Sequence, residues 1–152
     1  MPKIYFEDFA PGQVRKFGPR RITREEMLAF AADFDPQPMH LDEEGGRASM
    51  LGGLAASGLF TCSIAMRMVA DGILLRSSSM GANAVEEIRW LAPVRAGDAL
   101  TLRLTVLDTR RSRSRPDLGF VRMLWEMFDQ DGGVVMTLTA PMMFGTRSGP
   151  NS

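Results

Sequence analysis

The sequence contains a single cysteine, Cys62, and a single histidine, His40. One cysteine excludes a disulfide within the chain and the paired-cysteine spacings of zinc sites. One histidine excludes any metal site or mechanism that needs two imidazoles from the same chain. The composition therefore raises one question, which is whether His40 is a bystander or a reactive group.

An excess of charge of either sign is also absent, because 18 Lys and Arg residues balance 18 Asp and Glu residues. Such a chain has no overall field that would draw it to nucleic acid or to an anionic membrane, so neither is an expected partner. No uncharged apolar run reaches the ~20 residues of a membrane span, since the richest segment, 54–75, contains Arg67 and Asp71. The N-terminus lacks the pattern of a signal peptide, and together with the lone thiol this predicts a cytoplasmic protein.

The length and composition are typical of one globular domain. The chain has 152 residues, of which 45% are hydrophobic and 24% charged. We predict a single domain over residues 1–146, followed by a small, polar and disordered tail at 147–152.

The first half of the chain is predicted to be helical. Thr23 and Glu26 match a capping box, in which a hydroxyl and a carboxylate each satisfy a free backbone N–H group. This helix must stop near Phe34, because the prolines at 36 and 38 disfavour helix in the residue before each of them. A short polar helix is expected within 42–50. Ser57 is the expected N-cap of a longer helix, 58–70, which is apolar nearly all round and is therefore predicted to be buried.

The second half is predicted to form antiparallel strands. Apolar and polar residues alternate strictly over 100–106, the period of a half-buried strand. Further candidate strands lie at 17–22, 82–91, 120–128 and 134–144, separated by turn residues. The expected fold class is α+β, a curved antiparallel sheet with one buried helix against a face. One helix cannot cover so large a sheet, so we expect an edge-to-edge or face-to-face homodimer, or a higher homo-oligomer.

The segment 35–40, with the sequence D-P-Q-P-M-H, carries the candidate chemistry. Two prolines restrict the backbone between Asp35 and His40, which suits two groups held at a fixed separation around one small reactant. One group can accept a proton from water while the other orients that water or delivers a proton to a substrate. The alternative is a simple turn, in which Asp35 ends a helix and His40 is a hydrogen-bonded, partly buried side chain.

This segment resembles the D-x-N-P-x-H signature of the MaoC-like dehydratases, which include the (R)-specific enoyl-CoA hydratases. Three further stretches agree with that family. Residues 5–13 resemble its opening Y-F-E-D-F-x-x-G-Q, and residues 51–58 resemble the stretch that enters its central helix. Residues 89–98 resemble its R-(F/W)-L-x-P-V-x-x-G-D turn, so the resemblance covers about residues 5–144.

The resemblance implies a hot-dog fold, in which a long central helix is wrapped by the sheet, and dimers with acyl-CoA near the subunit interface. The implied reaction is reversible syn addition of water to a trans-2-enoyl thioester of coenzyme A or of acyl-carrier protein, with no other cofactor. Asp35 and His40 would activate the water and handle the proton at the α-carbon. The N–H group of Gly58 would stabilise the negative charge on the thioester oxygen. Gly58 could instead be a glycine that packs against the sheet.

The chain also departs from the family pattern. Gln37 replaces an asparagine of the motif, so a hydrogen bond that stabilises the turn is expected to be lost or re-routed. Ser57 stands where many relatives have histidine. Some members carry a serine one to two helical turns beyond the glycine, a position that either Met66 or the nearby Ser63 occupies in this chain, so the role of that serine is not carried over. The expected substrate-binding positions are Gln37, Met39, Ser57 and Met66, and the two methionines are candidates to line an acyl pocket.

Two further interpretations stay open. Four arginines lie between two predicted strands: Arg110, Arg111, Arg113 and Arg115. They form either a clamp that binds phosphates or the surface of an acidic carrier protein, or else a solvated hairpin tip. The chain could also be a hot-dog thioesterase, or a non-catalytic acyl-CoA-binding subunit. Release of free thiol, or binding without turnover, distinguishes these from a hydratase.

Overall fold

The computed structural model describes residues 3–147. The helices are α1 (Arg24–Phe34), α2 (Pro38–Leu41), α3 (Glu43–Arg47) and α4 (Gly58–Gly72). The strands are β1 (Val14–Arg21), β2 (Ser79–Ala82), β3 (Glu87–Trp90), β4 (Ala99–Arg111), β5 (Leu118–Phe128) and β6 (Val134–Gly145). Short 3-10 turns lie at Phe6–Asp8 and Leu74–Arg76.

The described strands form one antiparallel sheet in the order β1-β4-β5-β6-β2, and β3 pairs with β6 as well. The three long strands lie side by side at its centre, and their register stacks core residues across it. Leu104 of β4 lies opposite Trp125 of β5, which lies opposite Leu138 of β6. The curved antiparallel sheet with a central helix is the α+β architecture predicted from the sequence.

The core lies between this sheet and α4. The four apolar residues that alternate along β4 are each at most 1% exposed, and they are Leu100, Leu102, Leu104 and Val106. From α4 the core receives Phe60, Thr61, Ile64, Ala65, Met68 and Val69. Full burial of one such apolar side chain stabilises the fold by roughly 1.5–3 kcal/mol. Hydrophobic contact therefore fixes α4, and with it the residues at its N-terminus, on the sheet.

The segment Gly58–Arg76, with 19 residues and a mean hydropathy of 1.5, is long and apolar enough to cross a membrane by length and composition. A core helix has the same composition, and α4 packs most of its apolar side chains into the core of this fold, although Leu59 and Met66 are exposed. Arg67 and Asp71 form an exposed ion pair on α4, with 2.9 Å between Nε and Oδ2.

The predicted helices agree well with the structure. Thr23 and Glu26 form the predicted capping box, and α1 ends at Phe34. The longer helix runs two residues beyond the predicted end. The polar helix predicted within 42–50 is the five-residue α3. The short helix α2 was not predicted, because four residues are too few to show helical periodicity; Pro38 is its first residue, where a fixed φ favours the helix.

The predicted strands need two corrections. The strand predicted over 82–91 is limited to β3, and β2, which also pairs with β6, lies before that segment except for Ala82 and was not predicted. Arg110 and Arg111 belong to the end of β4 and not to the hairpin tip. The predicted tail begins at Arg147, whose guanidinium pairs with Asp8 at 2.7 Å, and the remainder of the tail lies outside the described residues.

Candidate active site

Asp35 ends α1, and the two prolines that follow turn the chain back toward the core. Its backbone N–H group donates to the carbonyl of Ala31 at 2.9 Å, the last bond of the helix. Pro38 then begins α2, which carries His40 on its buried side. Asp35 at the end of α1 and His40 in α2 are thus five residues apart in the sequence and close together in the fold.

His40 is held by the segment that leads into α4. Its Nδ1 atom lies 2.8 Å from the carbonyl oxygen of Ala55. A carbonyl oxygen only accepts, so Nδ1 carries a proton and donates it. His40 is 8% exposed, and its other ring nitrogen, Nε2, lies 3.5 Å from Oδ2 of Asp35. This separation is too long for a strong hydrogen bond, and it leaves both atoms able to contact one water molecule.

Each oxygen of the Asp35 carboxylate accepts one short hydrogen bond. The Ser57 hydroxyl donates to Oδ2 at 2.6 Å, and the Gln37 side-chain amide donates to Oδ1 at 2.6 Å. The bond from Ser57, the bond from Gln37 and the charge of His40 together hold the pKa of the Asp35 carboxyl below its usual value of 3.8. Partial burial opposes this effect without overcoming it. Asp35 is therefore ionised at neutral pH.

The hydrogen bond from Gln37 shows how this chain accommodates a longer amide in its motif. The Gln37 side chain reaches the carboxylate of Asp35, while its backbone N–H donates to the Asp35 carbonyl at 2.8 Å. Its own carbonyl accepts from the backbone N–H of His40 at 2.9 Å. The side-chain hydrogen bond is thus directed to the carboxylate, and backbone bonds stabilise the turn.

Helix α4 begins at Gly58, beside the Asp35–His40 pair. The first N–H groups of a helix have no acceptor within it, and the helix dipole makes this end favourable for negative charge. Ser57 occupies the N-cap position, but its side chain makes no capping hydrogen bond. The first turn of α4 therefore presents backbone N–H groups to the space beside Asp35 and His40.

A cavity of about 540 Å³ opens at this point. Asp35 and His40 are the titratable residues in its wall, and the remaining lining is mostly apolar. The other lining residues are Met50, Leu51, Ala55, Ala56, Ser57, Gly58, Leu59, Thr61, Trp90, Leu91, Ala92, Pro93, Val94 and Val135. Such a wall suits an apolar group whose reactive end meets one carboxylate and one imidazole.

The structure brings together most of the residues predicted for the site. Asp35, His40, Ser57 and Gly58 all line the cavity, and Gln37 contacts Asp35 from outside the lining. The predicted substrate-binding methionines do not join them. Met66 is 45% exposed on α4 and is not part of the lining, because eight residues beyond Gly58 the helix has turned this position toward solvent.

Met39 is also outside the lining. Its carbonyl accepts from the backbone N–H of Ala55 at 3.2 Å, so it contributes through the backbone to the position of the His40 acceptor.

Several lining residues were missed by the sequence analysis, among them Thr61, Trp90 and Val135. Thr61 lies one helical turn beyond Gly58, so the helix period alone could have found it. Trp90 and Val135 reach the cavity through sheet pairing, which no local pattern reveals. No group of three or more His, Cys, Asp and Glu side chains within residues 3–147 could hold a metal ion.

The arginines near the β4–β5 turn lie outside this lining. Arg111 pairs with Glu7 at 3.2 Å, and Arg115 pairs with Asp117 at 2.6 Å. The guanidinium of Arg110 stacks on the ring of Phe120, 4.4 Å from its centroid. These contacts favour the interpretation of a solvated hairpin over that of a phosphate clamp at the site.

Comparison with known proteins gives concordant results. The family model described as "MaoC like domain" matches residues 7–121. A solved structure of a MaoC-like dehydratase from Rhodospirillum rubrum is 37% identical and superposes with a TM-score of 0.87, over 95% of this chain and 98% of that chain. The uncharacterised protein YdeM of Bacillus subtilis is 27% identical over 124 residues, 82% of this chain and 86% of that protein.

A Mycobacterium tuberculosis protein described as having a double hot-dog fold superposes with a TM-score of 0.78 at 18% identity. The match covers 96% of this chain and 45% of that one. The predicted hot-dog fold is therefore confirmed.

Proposed function

The chain belongs to the MaoC-like domain family, as the sequence resemblance predicted, and on that premise we propose that it is a hydratase of enoyl thioesters. It adds water reversibly to a trans-2-enoyl thioester and forms a 3-hydroxyacyl thioester. The observation that carries this proposal is the position of Asp35 and His40, with 3.5 Å between Oδ2 and Nε2, in the wall of an apolar cavity at the N-terminus of α4.

The protonation states of Asp35 and His40 suggest the role of each side chain in the reaction. His40 donates from Nδ1 to Ala55, so its neutral form presents the lone pair of Nε2 toward Asp35. The ionised Asp35 carboxylate retains lone pairs beyond those that Ser57 and Gln37 use. In our proposal a water molecule donates one hydrogen bond to each of them, and its oxygen faces C3 of the substrate.

In the hydration step, the water oxygen bonds to C3 and the π electrons of the C2–C3 double bond move to C2. His40 Nε2 takes a proton from the water and then delivers a proton to C2, which completes the addition from one face. The negative charge of Asp35 orients the water and stabilises the imidazolium that forms between these transfers. No cofactor takes part, because the thioester itself activates the double bond.

Charge develops on the thioester oxygen during this step, and we propose that the N–H group of Gly58 stabilises it. Donors directed at such an oxygen in a site that excludes water are each worth roughly 2.7–4 kcal/mol of transition-state stabilisation in hydrolases. The role needs only the backbone N–H group of Gly58, because the space that a Cβ atom would take is already filled by the ring of Trp90.

The acyl part of the substrate is proposed to occupy the apolar cavity. No Lys or Arg residue lines it, so the phosphates of coenzyme A, or the acidic surface of a carrier protein, lie outside. Of the four predicted substrate-binding residues, Ser57 and Gln37 act in this proposal by holding Asp35. Met39 and Met66 take no part in it.

We further propose a homodimer formed along β3 in the cytoplasm. Strand β3 pairs with β6 on one side. The cavity wall to which its last residue belongs has four strongly exposed apolar residues: Met50, Leu59, Trp90 and Leu91. A second copy that adds to this edge would cover the cavity mouth. The opposite edge strand, β1, is protected by Pro19 and by its basic side chains, Arg15, Lys16, Arg20 and Arg21.

The proposed reaction is tested by following the enoyl absorbance of crotonyl-CoA and of longer trans-2-enoyl-CoA thioesters mixed with the purified protein. We expect consumption of at least one of them, no release of free thiol, and loss of nearly all activity in Asp35→Asn and in His40→Ala. Release of thiol would instead identify a thioesterase. Binding of acyl-CoA in calorimetry, with no turnover of any enoyl substrate, would identify a non-catalytic subunit.

A further inference from the structure

Ser57 occupies the N-cap position of α4 without performing the usual task of that position. A serine there normally accepts a hydrogen bond from one of the first backbone N–H groups of the helix. The Ser57 side chain makes no such bond. It is 1% exposed, and its hydroxyl donates to Oδ2 of Asp35 at 2.6 Å.

Two other helices of the same chain show the usual arrangement. The hydroxyl of Thr23 accepts from the backbone N–H of Glu26 at 3.2 Å at the start of α1. The carboxylate of Asp42 accepts from the backbone N–H of Gly45 at 2.6 Å at the start of α3. At α4 the side chain of the cap residue is directed to the candidate catalytic carboxylate instead.

We propose that Ser57 is a positioning residue that serves both halves of the site. Its hydroxyl fixes the Asp35 carboxylate opposite His40, and because that hydroxyl does not cap α4, the first N–H groups of the helix stay available to the thioester oxygen. This inference rests on the proposed hydratase function and assigns to Ser57 a part in it.

The contacts around Asp35 support this role. Ser57 reaches Oδ2, the same oxygen that His40 Nε2 faces at 3.5 Å, while Gln37 holds Oδ1 from the other side. The carboxylate therefore has one donor on each oxygen and cannot rotate without breaking both bonds. Among the described residues, His40 is the group whose charge acts on Asp35, and the Ser57 hydrogen bond is the largest single cause of its lowered pKa.

Ser57→Ala tests the proposal, with Ser63→Ala as its matched control. Ser63 is an exposed serine of the same helix whose hydroxyl donates to the Leu59 carbonyl at 2.9 Å. Ser57→Ala is expected to lower kcat by roughly 10- to 100-fold, the effect of one hydrogen bond to a charged group. KM should hardly change, because the acyl chain still enters the same cavity. Ser63→Ala should leave both constants at their wild-type values.

A second measurement does not depend on activity. The carboxyl carbon of Asp35 is followed by NMR during an acid titration and is assigned by its absence in Asp35→Asn. In Ser57→Ala the Asp35 pKa should rise toward its usual value, and in Ser63→Ala it should stay where it is in the wild type. Should Ser57→Ala fail to fold, Ser57→Cys keeps the side-chain size with a poor donor, and the same direction is expected.

The two measurements separate failure of this inference from failure of the proposed function. If the wild-type protein hydrates no enoyl thioester, the hydratase proposal fails, while a raised Asp35 pKa in Ser57→Ala would still establish that Ser57 holds the carboxylate. If the wild type is active but Ser57→Ala matches Ser63→Ala in kcat and in the Asp35 titration, the role of Ser57 is overturned and the hydratase function stands.

Discussion

The indole ring of Trp90 lies directly against Gly58, and its Nε1–H group donates to the Gly58 carbonyl at 2.9 Å. A Cβ atom built on Gly58 would come within 2.5 Å of the ring. The first residue of α4 must therefore be glycine for this contact to exist, whether or not its N–H group binds a substrate oxygen. The packing of Trp90 alone thus accounts for glycine at this position, and the proposed oxyanion role needs only the backbone N–H group.

Gly58→Ala is accordingly expected to destabilise the protein by about 1–3 kcal/mol, the usual cost of forcing a methyl group into a packed site. Urea unfolding measures this, and the fluorescence of Trp90 should change as the ring is displaced. The matched control is Gly133→Ala, where a built Cβ has its nearest neighbour at 3.4 Å. An equal effect of both substitutions would contradict the contact, and Trp90→Ala should remove most of the penalty of Gly58→Ala.

Much of the fold could be predicted because its signals are local. The alternation of apolar and polar residues in β4 and the capping box at Thr23 each involve residues only a few positions apart. The short strand β2 and the limits of β3 could not be predicted in this way. Both strands exist because β6 offers a pairing edge to each of them, and pairing between distant segments leaves no trace in a local period.

In the candidate site, too, local features could be predicted and contacts between distant segments could not. The Asp35 to His40 spacing indicated a reactive pair, since the prolines restrict a short stretch of backbone. The bond from Ser57 to Asp35 spans 22 residues and depends on where α4 meets the end of α1. The sequence therefore predicted Ser57 as a cap and a lining residue, while its hydroxyl serves the carboxylate. Met66 was predicted from the family pattern, and it lies outside the cavity lining because position in the sequence does not show which face of α4 meets the cavity.

Arg95 holds the loop that forms one wall of the cavity. Its Nη1 donates to the Leu54 carbonyl at 3.0 Å, and its Nη2 donates to the carbonyl of Leu51. Arg95→Ala should destabilise the protein by about 1.5–3 kcal/mol, the range for hydrogen bonds to a charged group. It should also speed proteolysis within 50–54. Urea unfolding and limited digestion measure the two effects.

Arg67→Ala is the control for Arg95→Ala. Arg67 pairs with Asp71 on the exposed side of α4, and such surface pairs contribute about 0–1 kcal/mol. The two carbonyl contacts of Arg95 do not hold the 50–54 loop if Arg67→Ala lowers the free energy of unfolding as much as Arg95→Ala does. The same conclusion follows if Arg95→Ala does not speed digestion of that loop.

The lowered pKa of Asp35 predicts how stability depends on pH. Ser57, Gln37 and His40 lower the pKa in the folded state below the usual 3.8, so the unfolded chain binds a proton at higher pH than the folded protein does. The stabilising contribution is complete above the usual value and is lost as the pH falls through the folded-state pKa. The stability difference between wild type and Asp35→Asn should therefore shrink from pH 5 to pH 2.

Urea unfolding at several pH values between 2 and 5 measures this difference. Asp33→Asn removes one negative charge at an exposed position two residues earlier, so it controls for the change of net charge. A difference between wild type and Asp35→Asn that stays constant, or grows, as the pH falls would show that the carboxylate is not stabilised by its neighbours in the folded state.

The proposed dimer predicts that the two edges of the sheet respond differently to the same change. Leu91, beside β3, is 55% exposed and Val14, in β1, is 52% exposed, so a glutamate at either position meets similar solvent in a single copy. If β3 is the dimer edge, Leu91→Glu places an unpaired carboxylate in the interface. The dissociation constant should then rise by at least about tenfold, since burying such a charge costs well over 1.4 kcal/mol.

Light scattering after size exclusion should give twice the chain mass of 16.8 kDa for the wild type and for Val14→Glu, and a concentration-dependent lower mass for Leu91→Glu. A monomeric wild type would contradict the proposed dimer. Dissociation by Val14→Glu alone would place the dimer contact at β1. In either case the cavity mouth would stay open to solvent.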